Sequence, residues 1–180
     1  MCKTKEKKTI YYSDELNDDF APTYGKIKPK KITGDYNYLK DKRPLWKFLR
    51  FILYRLIATP VAFIFMHCKG IRIKNRKALK SVKGGYILYG NHTQMAGDAF
   101  TPSLVTFPRR ANILVSPDAV SIPIIGKIVP LVCGMPVPGD LAATKNLHKA
   151  MEKLLKKGQT IVVYPEAHAW PYYNGIRNFS

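Results

Sequence analysis

Residues 140–164 read DLAATKNLHKAMEKLLKKGQTIVVY, and this stretch decides the fold. Leu147, Ala150, Met151, Leu154 and Leu155 recur at helical spacing, while Lys145, Lys149, Lys153, Lys156 and Lys157 fall largely on other faces. The spacing predicts an amphipathic helix over 141–157. Asp140 can cap its start by accepting a free N–H, and Gly158 stands where the left-handed residue after a helix belongs. Residues 160–164 are short and apolar, and they read as a buried strand.

Working back along the chain, residues 86–89 and 112–115 are apolar runs bounded by turn residues, and both read as buried strands. Residues 71–73 predict a further short strand, and 81–85 a turn. Residues 117–132 are mostly apolar but broken by Pro123, Gly126 and Pro130, which suggests short helical turns. Strand, loop, helix and strand in this order predict an α/β domain over 71–180, a sheet flanked by helices.

Two further segments precede it. Residues 1–44 alternate Lys, Asp, Glu, Asn, Tyr and Pro without a sustained period, and are expected to form an irregular, polar, basic arm. Residues 45–70 hold the one strongly apolar stretch, 51–68, preceded by Arg43, Lys47 and Arg50 and interrupted by Arg55 and Pro60. Its uncharged part, 56–66, is shorter than the roughly 20 residues of a spanning helix. Trp46, Phe48, Phe51 and Tyr54 mix with cations as in an interfacial helix, so a monotopic or re-entrant membrane segment is favoured over a buried core helix.

The chain has 180 residues, and 30 Lys+Arg against 12 Asp+Glu leave a formal charge of +18. A chain this basic is drawn to polyanions: anionic lipid, phosphorylated substrates or nucleic acid. The basic run at residues 26–31 could bind RNA electrostatically, but no helix-turn-helix, zinc-finger or RNP motif accompanies it, and no nucleic acid is expected as partner. Cys2, Cys68 and Cys133 form no C-x-x-C pair, which fits a reducing setting facing the cytosol. His67, His92, His148 and His168 make no metal-ligand pattern, and no metal is expected. Neither a Walker loop nor G-x-G-x-x-G is present.

Chemistry concentrates in two polar loops. Asn91-His92-Thr93-Gln94-Met95-Ala96-Gly97-Asp98 follows the strand at 86–89, and Tyr164-Pro165-Glu166-Ala167-His168-Ala169-Trp170-Pro171 closes the strand at 160–164. In a parallel sheet both exits lie on one edge, so His92 and Glu166 could line one crevice. An imidazole held by a carboxylate can take a proton from a hydroxyl near neutral pH. On a helix, six residues at about 100° each would leave His92 and Asp98 on different faces. Their pairing therefore requires a turn, and Gly97 could supply one by taking positive φ. The plainer reading makes Asp98 a helix N-cap for 99–105. Glu166 could position a substrate or anchor a loop by accepting backbone amides. Arg177 could bind phosphate through its planar fork, or be a solvated surface residue.

Taken in order, these motifs resemble the lysophospholipid acyltransferase family, typified by 1-acylglycerol-3-phosphate acyltransferases. The family's N-H-x-x-x-x-D is approached by Asn91-His92 through Asp98, with one residue more in the gap. Ser121-Ile122-Pro123-Ile124-Ile125-Gly126 is similar to its I-P-F-F-G stretch. Cys133-Gly134-Met135-Pro136-Val137 stands where its second motif begins, without that motif's arginine. Pro165-Glu166 matches its P-E-G-T-R, with Ala167-His168-Ala169 in place of G-T-R.

The resemblance spans roughly residues 71–177. It implies a glycerolphosphate-acyltransferase-like sheet and transfer of a fatty acyl group to a lysophospholipid or glycerol-phosphate-type hydroxyl. The donor would be an acyl-CoA or acyl carrier protein thioester, with no bound cofactor. His92 would be the general base and Asp98 its orienting carboxylate. Asn91, Gly134, Glu166 and Arg177 would hold the acceptor at a membrane's cytoplasmic face. The family's fourth apolar motif lies beyond Ser180, so the domain is expected to be truncated. A non-catalytic membrane-binding protein of the same fold is the alternative, and a basic RNA-binding protein a more distant one.

Overall fold

A computed structural model describes residues 11–14, 18–20, 26–39, 44–94 and 97–179. In chain order these form helix α1 (Pro44–Phe51), a π-helical turn (Ile52–Ala58), α2 (Thr59–Cys68), a 3₁₀ turn (Arg76–Lys80), β1 (Tyr86–Tyr89), α3 (Gly97–Val105), β2 (Ala111–Val115), α4 (Ile125–Ile128), β3 (Gly134–Pro136), α5 (Leu141–Lys156) and β4 (Thr160–Val163). The sheet is parallel throughout, in the order β1-β4-β2-β3. The chain steps one way from β1 to β2 and the other way from β3 to β4. Right-handed crossovers therefore place α3 and α5 on opposite faces.

The capped helix forms as its residues dictate. Asp140 takes extended dihedrals and its Oδ1 accepts the Ala143 N–H at 2.8 Å. At the other end Gly158 has φ +71°. Its N–H reaches the Leu155 carbonyl at 2.9 Å, and Gln159 N–H reaches that of Leu154 at 3.1 Å, which satisfies the last carbonyls. The buried stripe is Ala143, Leu147, Ala150 and Leu154. It packs with Ile161 of β4, Met135 of β3 and Val120.

One expectation is corrected: residues 71–73 form no strand, and the backbone there is irregular and leads into the 3₁₀ turn. The described part of the arm is irregular, and two of its residues join the core. Ile32 and Tyr38 are buried in the cluster with Leu147 and Ile161. Tyr38 Oη donates to the Pro136 carbonyl at 2.9 Å, and Asn146 Nδ2 donates to the Tyr36 carbonyl at 2.6 Å. Apolar residues spaced without a period carry no helix or strand signal, although they can still plug a groove.

The apolar segment is one helical run of 25 residues, Pro44–Cys68, long and apolar enough to cross a membrane by length and composition. Pro60 lacks an N–H and crowds the carbonyl four residues back, and the backbone answers with the wider π turn just before it. Arg50, Tyr54, Ala62 and Met66 form its buried side. Tyr54 Oη accepts the Ala111 N–H at 2.8 Å, and Arg55 donates to the Pro108 carbonyl. The other side exposes Leu45, Phe48, Phe51, Leu56, Ile57, Phe63 and Ile64.

Candidate active site

β4 lies between β1 and β2, so the loops leaving β1 and β4 are neighbours at the carboxyl edge of the sheet. His92 Nδ1 lies 2.8 Å from Asp98 Oδ2, with side-chain exposures of 24% and 12%. The Gln94 N–H donates to the same carboxylate oxygen at 2.9 Å. An ionised carboxylate only accepts, which assigns the ring proton to Nδ1 and leaves Nε2 with its lone pair.

Gly97 is the first residue of α3. Asp98 sits in the first turn of that helix, where its N–H donates to the Gln94 carbonyl at 2.9 Å. Its side chain folds back over that turn to the ring. Gly97 is small for a packing reason: a Cβ there would meet the Gln94 side chain at 2.1 Å. Residues 95 and 96 lie outside the described set.

Tyr164, the residue after β4, stacks on His92 with ring centroids 5.0 Å apart and donates its hydroxyl to the Asp98 carbonyl at 2.8 Å. Burial foremost, and then the Asp98 charge, push its phenol well above the ordinary value. It is therefore a neutral donor that clamps ring and helix together. The sequence places this tyrosine at the strand's end and at the head of the second polar cluster, without a role in the site.

Glu166 is 2% exposed and serves the backbone. Oε2 accepts the His92 N–H and Oε1 the Arg177 N–H, each at 3.1 Å. The loop-anchor reading of Glu166 is the one the geometry matches. Arg177 is also buried, at 4% exposure. Its guanidinium lies 4.0 Å over the Trp170 ring and NH1 donates to the His168 carbonyl at 3.3 Å. It is neither a solvated surface residue nor an open phosphate fork. Asn91 is exposed, and its Nδ2 reaches the Gly175 carbonyl at 3.4 Å.

Gly134 is not brought to this cluster. It lies in β3, three strands from β1, which at about 4.8 Å per strand is roughly 14 Å across the sheet. Its lack of a side chain is explained by Val129, whose Cγ1 would lie 2.3 Å from an added Cβ. Cys133 is buried, and burial raises its thiol above the ordinary range, which suits a packing residue rather than a nucleophile. Among the described residues no three His, Cys, Asp or Glu side chains gather as a metal set.

Two loops meet over the dyad. The Trp170 N–H donates to the His92 carbonyl at 2.9 Å and the Tyr172 N–H to the Thr93 carbonyl at 3.0 Å. The arm closes over the outside. Asp19 accepts the Ala169 N–H at 3.1 Å and pairs with His168 Nδ1 at 3.2 Å, while Trp170 Nε1 donates to the Asp18 carbonyl at 2.8 Å. A larger cavity of about 620 Å³, lined by Arg76, Lys77, Lys80, Tyr86, Phe107 and Arg109, lies toward the amino edge of the sheet and away from the dyad.

Comparison with protein-family models, with curated proteins and with solved structures finds no match to this chain.

Proposed function

We propose that this chain is a membrane-associated O-acyltransferase. It would move a fatty acyl group from an acyl-CoA or acyl carrier protein thioester to the hydroxyl of a lysophospholipid or glycerol-phosphate-type acceptor. The observation that carries the reading is the 2.8 Å contact between His92 Nδ1 and Asp98 Oδ2 at the carboxyl edge of a parallel sheet. The motif order that resembles the lysophospholipid acyltransferases supports it.

In this mechanism Nε2 of His92 removes the proton from the acceptor hydroxyl as its oxygen attacks the thioester carbonyl. Asp98 holds the ring in the Nδ1–H form and stabilises the imidazolium. Collapse of the tetrahedral intermediate expels the thiolate, which takes the proton back from Nε2. Ester and free thiol leave, and the enzyme returns to its starting state.

The exposed apolar side of Pro44–Cys68 supports attachment to a bilayer, where acceptor and acyl product both reside. With flanking cations on anionic lipid, the cytoplasmic face is the side proposed. One observation favours a second reading, a membrane-binding protein of this fold without turnover. Glu166 and Arg177 both bind within the protein and leave the acceptor fewer polar partners.

An acyl-transfer assay over a panel of lysolipids, with wild type and His92→Ala, tests the proposal. Turnover abolished by the substitution supports it. Absence of product with intact vesicle binding favours the second reading.

A further inference from the structure

Between the described arm and the loop that follows β4 lies a cavity of about 220 Å³ lined by Tyr12, Phe20, Trp170, Pro171, Tyr172 and Tyr173, five of the six aromatic. Its walls are ordered by ring contacts. Tyr12, Phe20 and Tyr173 meet Trp170 with centroids 4.7, 5.7 and 5.6 Å apart. Trp170 already carries one cation, the Arg177 guanidinium at 4.0 Å. Rings set on several sides of a small space attract cations through their negative faces, and a quaternary ammonium is the cation they suit best.

Charge points the same way. The chain is strongly basic, yet three of its 12 acidic residues, Asp14, Asp18 and Asp19, fall in the segment that carries Tyr12 and Phe20. Amide hydrogen bonds, from Asp14 first and then Ser13, hold the Asp18 carboxyl below its ordinary range, so it stays ionised. Asp19 is engaged with Ala169 and His168, and the Asp18 carbonyl with Trp170, which leaves the hydroxyls of the lining tyrosines as acceptors. A primary ammonium must replace lost water with hydrogen bonds, and phenol oxygens replace that water only in part. A trimethylammonium has no such need.

We propose that this aromatic cavity binds the quaternary ammonium of a choline-type head group, so that the acceptor offered to His92 is a lysolipid of the lysophosphatidylcholine class. Position supports this, because the wall residues Trp170 and Tyr172 hydrogen-bond the backbone of His92 and Thr93. The acceptor part of the inference rests on the acyl-transfer reading; the ligand preference of the cavity does not.

The test uses the full chain, Tyr12→Ala and Tyr172→Asn. Tyr172 has φ +63°, a conformation asparagine tolerates, and both residues are exposed, so neither variant should unfold. Phosphocholine and phosphoethanolamine are titrated against tryptophan fluorescence. Acyl transfer is measured with lysophosphatidylcholine and lysophosphatidic acid.

Phosphocholine should bind about tenfold more tightly than phosphoethanolamine, and each variant should weaken it about fivefold. The ratio of kcat/KM for the choline lipid over lysophosphatidic acid should fall by a similar factor. Equal binding of the two head groups, or unchanged phosphocholine affinity in both variants, overturns the inference. Cavity-dependent phosphocholine binding without transfer to any lysolipid upholds the cavity and removes the acyl-transfer reading. Transfer to lysophosphatidic acid with no response to phosphocholine does the reverse.

Discussion

One carboxylate oxygen of Glu166 accepts the backbone N–H of His92 at 3.1 Å, which ties the loop leaving β4 to the loop leaving β1. The other oxygen holds Arg177 N–H at the same distance, so a single side chain sets the position of three segments. Hydrogen bonds to a buried charged group contribute about 1.5–3 kcal/mol each. Glu166→Ala should lower unfolding stability by about 2–4 kcal/mol in urea titration. Glu166→Gln, which keeps one acceptor, should fall between.

Catalysis should be lost at both members of the dyad, by different routes. His92→Gln removes the base and should reduce kcat by about 10²–10⁴. Asp98→Asn keeps the shape but presents a neutral partner to Nδ1, and should also lower kcat while leaving circular dichroism unchanged. Steady-state kinetics on folded protein checks both.

Alkali should unfold the protein in a window set partly by Tyr38. Burial first, then the neighbouring Tyr36 and Asp140, raise its phenol to about 12 in the folded state. An unfolded tyrosine titrates near about 10. The folded pKa is the higher one, so the contribution is fully present below pH 10 and is lost as pH rises from about 10 toward 12. Tyr38→Phe should be less stable at neutral pH, where it lacks the bond to Pro136, and should lose less stability across that window. Denaturation midpoints from pH 8 to 12 read the difference.

Membrane attachment should depend on residues the domain does not need for packing. Phe63 and Ile64 are 65% and 60% exposed. Each would contribute about 1.5–3 kcal/mol if buried in acyl chain. Phe63→Glu with Ile64→Glu should cut vesicle partitioning at least tenfold in flotation assays, with the thermal transition little changed.

How far the sequence revealed this arrangement depends on periodicity. The strand at 86–89 and the capped helix were legible because one was an uninterrupted apolar run and the other had a stripe with marked ends. β3 was not: Gly134–Pro136 is three residues long and carries glycine and proline, the usual signs of a turn. It pairs only because Val115 and its neighbours offer a free strand edge. The dyad was legible in its residues but not in its geometry, since α3 begins early enough to carry Asp98, from its first turn, to the ring. The arm was least legible, because Ile32, Tyr38 and Phe20 act through tertiary contacts that leave no local pattern.

β4, fourth of the four strands in chain order, occupies the middle of the sheet, flanked by β1 and β2. Until residues 160–163 emerge from the ribosome, those two earlier strands present bare edges to whatever else is nearby. The nascent chain is then most exposed to mispairing, and a chaperone would find its clearest target there. Arrival of β4 pairs those edges and, through Tyr164 and Glu166 beyond it, also locks the histidine in place.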